Sequence, residues 1–252
     1  MTDTKHLTQP GTTPAPDTYV IKVIENGPYE VSGQPPISQK IIEQDARRHS
    51  WSYGKGREFE VPAKAHLCRC GLSRNAPFCD GSHLSGEVEL GETASFAPLL
   101  ERATVIEGPT RTLADNEAYC AYGRFCDAGD RIWNQVSEGG PQSDQLTERM
   151  AHHCPAGRLL VFDNATGEPV ETAEAPALGL IEDPELQVSG PIMVTGGIRV
   201  ESASGRSYEI RNRQALCRCG QSANKPFCDG THASMKFRDG LAMPSRRDNR
   251  AT

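Results

Sequence analysis

Aromatic residues are scarce in this 252-residue chain, at 6%, and hydrophobic residues as a whole reach only 37%. An ordinary globular chain carries roughly 45–50% apolar residues, glycine included. One large greasy core is therefore not expected, and several small units suit the length better. No run of 18 apolar residues occurs, so a membrane span is not expected. The stretch Met1–Thr18 is polar and has no basic-then-apolar signal pattern. An excess of basic charge is missing too: 27 Lys and Arg stand against 33 Asp and Glu, for a net charge of −6. A general nucleic-acid binder would carry a basic field, so that class of partner is set aside. There is no Walker sequence, no Gly-x-Ser-x-Gly elbow and no paired-carboxylate signature. An enzyme is therefore not expected.

Cysteine, by contrast, is plentiful. The nine are Cys68, Cys70, Cys79, Cys120, Cys126, Cys154, Cys217, Cys219 and Cys228. An odd count argues against a closed disulfide framework, and the grouping in threes suggests three local sites. Without a secretory signal the expected location is cytoplasmic, where thiols stay reduced and clustered Cys with His reads first as metal ligation.

The chain repeats itself. Residues 68–83 read CRCGLSRNAPFCDGSH and residues 217–232 read CRCGQSANKPFCDGTH, identical at twelve of sixteen positions. Such identity marks a duplicated unit. Upstream, Gly27–Gly33 matches Gly190–Gly196 more weakly, and the first copy has about fourteen extra residues around Gln39–Gly56. Tyr19–Ile24, Ile198–Glu201 and Tyr208–Arg211 alternate as strands, with Gly205 turning between the last two. Each repeat is expected to be a few short strands supporting one metal-bearing loop. The ends, 1–18 and 241–252, are expected to be disordered, and Glu171–Pro176 a linker.

The repeated loop carries C-x-C-x8-C-x3-H, with Cys68, Cys70, Cys79 and His83 in the first copy and Cys217, Cys219, Cys228 and His232 in the second. Cysteines two apart can present both sulfurs to one metal. Gly71 then turns the chain away. Asp80 suits a helix N-cap, and the spacing of four brings Cys79 and His83 to one side of the first turn. A mononuclear Cys3His zinc site is one reading of these donors. A [2Fe–2S] cluster, one donor pair on each iron, is the other.

These strings resemble the CDGSH iron–sulfur domain, the family of mitoNEET, and two copies in one chain resemble its tandem members. The match covers all four ligand positions, the Ser after Cys-x-Cys-Gly-x, the Pro before Phe-Cys, and Asp-Gly. Thr231 departs from the name motif, where the family has Ser. The resemblance implies one redox-active, acid-labile [2Fe–2S] cluster per copy, held by three Cys and one His. It implies electron transfer or redox sensing, or alternatively cluster storage and transfer. A redox or cluster-acceptor protein would be the partner, with the chain a monomer packed as an internal pseudo-dimer. A zinc-stabilised interaction module is the remaining alternative.

The middle stretch from Cys120 to Gly157 resembles the divergent single-cluster ferredoxin domain. Cys154-Pro155 looks like the last ligand of ferredoxin runs, Gln145–His153 reads as a helix after Ser143, and Arg158–Asp163 as a strand turning at Asn164–Gly167. The departures are a first spacing of C-x5-C and only three cysteines. Cys120, Cys126 and Cys154 either hold a third centre, [3Fe–4S] or [4Fe–4S] with His152 or His153 as fourth ligand, or are unliganded. His66 reads as a surface group or a support for a ligand. Arg47, Arg48, His49 and Trp51 lie in the insertion, a solvated loop or a partner-binding face.

The expected fold is α+β in small β-rich units, two CDGSH-type β-strand domains with metal-binding loops flanking a ferredoxin-like α+β segment. The boundaries are 19–92 for the first domain, 93–172 for the middle segment and 173–240 for the second domain, with tails at 1–18 and 241–252.

Overall fold

The computed structural model describes residues 6–244. Five strands precede the first cysteine pair: β1 (Val20–Val23), β2 (Tyr29–Ser32), β3 (Ile37–Gln44), β4 (Ser50–Phe59) and β5 (Lys64–Leu67). The middle unit has β6 (Thr104–Glu107), β7 (Arg111–Asp115), α1 (Ile132–Glu138), α2 (Pro141–His152) and β8 (Leu159–Asp163). The second copy supplies β9 (Ala177–Asp183), β10 (Val188–Thr195), β11 (Arg199–Glu201), β12 (Arg213–Leu216) and the one-turn helix α3 (Thr231–Ser234).

The strands form three sheets, and two of them mix the copies. Within each copy an antiparallel trio carries the loop: β1-β2-β5 in the first and β9-β10-β12 in the second. Their registers are equivalent. Tyr29 faces Leu67 and Ile192 faces Leu216, each leucine standing just before its Cys-x-Cys. The next strand then leaves its own copy. After β2, β3 pairs in parallel with β9, with Ile37 opposite Leu178. After β10, β11 pairs in parallel with β1, with Val20 opposite Arg199. Each copy thus covers an edge of the other, which leaves fewer unpaired backbone groups. The extra residues of the first copy fall within the β3–β4 hairpin, which widens the second sheet.

Strand exchange also changes the core. Separate small cores were expected. Instead one apolar cluster runs from Ile21, Val31 and Leu67 through Leu113, Ile132 and Met150 to Leu180, Ile192 and Leu216. Exchanged strands place side chains of both copies on shared faces, so their apolar surfaces merge. The middle unit joins the cluster through the β6-β7-β8 meander and its two helices.

Several local expectations change. α2 begins at Pro141 rather than Gln145, because Pro in the first turn needs no N–H partner; Ser143 lies inside it, buried. α1 was not foreseen, since about two turns carrying Ile132 and Val136 give little periodicity. Tyr208–Arg211 is not a strand: Ile210 pairs with the N-terminal segment, accepting from Gln9 N at 2.9 Å and donating to Leu7 O at 2.8 Å. Residues 6–18 therefore pack against the second copy instead of trailing as a tail, and Gln9 is buried. At the other end Gln39 Nε2 donates to Ala242 O at 3.0 Å; the rest of the expected tails, 1–5 and 245–252, lies outside the described residues. The expected linker at Glu171–Pro176 is anchored, with buried Arg213 placing Nη1 2.6 Å from Glu171 Oε1. Among the described residues no helix is long and apolar enough to cross a membrane.

Candidate metal centres

The two loops are built by the same hydrogen bonds. Cys68 N donates to Pro77 O at 2.9 Å and Cys79 N to His66 O at 2.7 Å; Cys217 N and Cys228 N donate to Pro226 O and Ala215 O, both at 2.8 Å. Ser73 Oγ donates to Phe78 O at 2.6 Å and Ser222 Oγ to Phe227 O at 2.7 Å. The aspartate of each motif stands one residue before the N-cap, which is Gly81 in the first copy and Gly230 in the second. Asp80 accepts from Ser82 N at 3.0 Å and reaches back to Arg74 N at 2.9 Å. Asp229 holds Thr231 N at 3.0 Å and Ala223 N at 2.7 Å. One carboxylate thereby ties both ends of each loop, and these bonds hold both aspartates below the usual carboxylate range against the opposing effect of burial. The expected first turns are short, a 3-10 turn at Ser82–Leu84 and α3 in the second copy.

The eight expected ligands come together as four pairs. Cys68 Sγ lies 3.5 Å from Cys70 Sγ, and Cys79 Sγ lies 3.5 Å from His83 Nδ1. In the second copy the separations are 3.9 Å for Cys217–Cys219 and 3.3 Å for Cys228–His232 Nδ1. A tetrahedral metal bonded at about 2.3 Å to sulfur and about 2.0 Å to nitrogen spaces two sulfurs by about 3.8 Å and a sulfur from a nitrogen by about 3.5 Å. Each pair fits one metal atom. Among the described residues no three Cys, His, Asp or Glu converge on a single ion position. The donors are thus arranged two by two, with the imidazole offering Nδ1.

Electrostatics favour thiolate in both Cys-x-Cys pairs. Hydrogen bonding from Cys70, with backbone N–H support, pulls Cys68 down to about 6. The same sharing, with burial, pushes Cys70 up. Cys217 falls to about 7 through Cys219 in the same way. Burial, then the Arg218 charge, lowers His232 to about 4, which keeps its ring neutral and able to bind a metal.

The loops touch back to back. Gly71 and Gly220 sit at φ +76 and +77, and a Cβ on either would stand 2.8 Å from Cys219 O or 2.6 Å from Cys70 O. Only glycine permits both that dihedral and that approach. Tyr29 of the first copy crosses over as well: its hydroxyl lies 2.9 Å from both Cys217 O and Pro226 O. Its repeat equivalent is Ile192, which has no such group, and that mismatch was the available signal. Also unforeseen were Arg69 and Arg218, buried between the cysteines of each pair. Arg69 donates to Gly27 O, Leu90 O and Ile24 O. Arg218 meets Ile181 O and the carboxylates of Glu182 and Asp239.

Cys120, Cys126 and Cys154 line one cavity together with Arg158 and Pro155. Burial, reinforced by the neighbouring thiols, pushes Cys126 up to about 12. His152 and His153 do not line it. They face a separate cavity with Lys40, Tyr53 and Glu174, because His153 Nδ1 is engaged with Arg149 O at 2.8 Å and His152 Nδ1 with Arg213 Nη1 at 3.1 Å. His66 is a surface group 3.6 Å from Glu30. His49 lies 3.2 Å from Asp45, Arg48 pairs with Glu185, and Trp51 lies under the Arg149 guanidinium at 3.3 Å from the ring centroid.

Residues 26–84 and 189–233 match the family model described as iron-binding zinc finger, CDGSH type. No curated protein and no solved structure matches the chain. Both matched segments hold the paired cysteine and histidine donors, apart from the loop geometry they share. The chain thus carries, in tandem, two iron-binding domains of the CDGSH-type family.

Proposed function

We propose that each of the two iron-binding domains holds a [2Fe–2S] cluster through three cysteines and one histidine, and that the chain acts in electron transfer or redox sensing. The observation that carries this is the pairing of donors: two pairs per loop, each spaced for one metal atom. A single zinc ion would draw three or four donors to one point. When bound, such a cluster accepts and releases one electron, at a potential raised by its histidine ligand above that of an all-cysteine cluster. The chain contributes hydrogen bonds to sulfur, from Leu72 N to Cys70 and from Gly230 N to Cys228, both at 3.4 Å. Such bonds stabilise negative charge on the ligands and so favour the reduced state.

Storage and transfer of clusters is the second reading, favoured by the partial exposure of Cys79 and His83. A third centre at Cys120, Cys126 and Cys154 belongs to the same proposal. Its support is their common cavity, since a cluster binds each cysteine at a different iron. The reading is of a cytoplasmic, non-enzymatic carrier that works as a monomer, its partner a redox or cluster-acceptor protein.

Iron and sulfide analysis of anaerobically purified protein, with EPR after reduction, tests all of this. Two centres give about four irons per chain and a third raises the count to about seven or eight. Colourless, zinc-loaded protein would overturn the proposal. Delivery of iron and sulfide to an apo-ferredoxin would select transfer over electron carriage.

A further inference from the structure

Arg158 is a buried cation whose donors go unused. It stands just before β8, 5% exposed, and lines the cavity that Cys120, Cys126 and Cys154 share. Its Nε lies 3.4 Å from Asp115 Oδ1, an ion pair without hydrogen-bond geometry. Asp115 Oδ1 is itself buried with no hydrogen-bond partner, while Oδ2 accepts from Trp133 Nε1 at 3.1 Å. Among the described residues the Arg158 guanidinium meets no hydrogen-bond acceptor. Arg69, Arg213 and Arg218, equally buried, all donate to carbonyls or carboxylates. A guanidinium that opens on this cavity and is paired only at 3.4 Å suits an anion placed there.

We propose that Arg158 is the counter-charge and hydrogen-bond donor for an iron–sulfur cluster held by Cys120, Cys126 and Cys154, with Asp115 opposing it; this rests on the reading of that trio as a third centre. Three thiolates and a sulfide core carry net negative charge into a largely water-excluded site, and reduction adds one more unit. The guanidinium offsets both. It raises the reduction potential and holds the cluster more tightly, whereas the Asp115 carboxylate lowers the potential. Arg158 is thus a positioning residue that acts through charge, not a ligand.

The test is an EPR-monitored redox titration, with iron and sulfide analysis, on the full chain and on Arg158→Gln, Arg158→Lys and Asp115→Asn. The two CDGSH signals serve as internal controls for folding. Arg158→Gln is expected to lower the potential of the third signal, or to lose that signal alone. Arg158→Lys restores most of it, and Asp115→Asn shifts the potential upward. A third centre left unchanged by Arg158→Gln overturns the role of Arg158 alone. So does a downward shift in Asp115→Asn, which would point to packing rather than charge. About four irons in the unaltered chain overturns the trio reading and this role together. Should Arg158→Gln fail to fold, Arg158→Lys and Asp115→Asn still decide the sign.

Discussion

The two metal loops share a sequence and a hydrogen-bond scheme, yet they sit in different surroundings. In the first, Cys79 and His83 are only partly buried, and Leu72 and Leu84 stand 44% and 84% exposed beside them. In the second, His232 is 4% exposed and Cys228 is buried, with exposed Gln221 and buried Ala233 at the positions of the two leucines. The two copies also differ in what the middle unit touches. It lies on the second loop: Asn224 Nδ2 donates to Ala118 O at 3.0 Å, and the ring of Tyr119 meets Phe227 edge-on at 5.3 Å. Thr93 Oγ1 adds a bond to Ala223 O at 2.7 Å. A duplicated unit thus has one open and one covered loop, although its cysteine and histidine donors are unchanged.

The buried arginines give the sharpest way to break this contrast. Arg69 is received by backbone carbonyls alone, whereas Arg218 also neutralises Glu182, which is 0% exposed. Arg218→Met strands that carboxylate and should cost about 3–5 kcal/mol. Arg69→Met leaves carbonyls unpaired and should cost about 1–3 kcal/mol. Denaturant unfolding at neutral pH measures both, and equal losses would mean that the covered site has no special electrostatics. The pH dependence has a definite sign. Burial raises Glu182 despite Arg218. Its contribution to stability is therefore full below the ordinary Glu range, near about 4.3, and is lost as pH rises through the raised folded value. Glu182→Gln should flatten that decline.

The glycine contact between the loops should behave symmetrically. Gly71→Ala and Gly220→Ala each force a side chain into the left-handed region and against a carbonyl of the other loop. About 1–3 kcal/mol is expected from the backbone strain of each. Thermal unfolding of the two variants should agree closely. A large difference would show that the copies do not lean on one another equally.

Most of the site was legible in the sequence, because ligand chemistry needs fixed residue types at fixed spacing. The four donor pairs follow directly from C-x-C-x8-C-x3-H. What stayed hidden depends on partners far along the chain. Nothing near Ile37 reveals that β3 pairs with β9, and nothing near Tyr29 shows that its hydroxyl supports Cys217 and Pro226. The partners of Arg69 and Arg218 are likewise carbonyls and carboxylates that only the fold collects. That one apolar cluster links the small units was hidden for the same reason, since exchanged strands pool apolar surface that each copy lacks alone.

Acid lability should divide the loops next. Each histidine must be unprotonated at Nδ1 to bind, and solvent protons reach His83 more readily than buried His232. Visible absorbance after a drop in pH is expected to decay in two phases, separated by about tenfold in rate, or about 1.4 kcal/mol in barrier. His83→Cys should remove the fast phase and His232→Cys the slow one. A single phase, unaffected by His83→Cys, would erase the functional side of the contrast.

The smallest expected effect bears on what the open site is for. Leu84 is almost fully exposed, so Leu84→Ala should change stability by no more than about 0.5 kcal/mol. Its repeat equivalent, Ala233, is buried on α3, which packs against β10, and Ala233→Leu should overpack that site at about 1–3 kcal/mol. The pair of thermal midpoints therefore measures the covering directly: the same two residue types are exchanged in opposite directions at matched positions. If Leu84→Ala proved as costly as Ala233→Leu, the first loop would be covered in solution as well. The division into an open and a covered loop would then have to be abandoned.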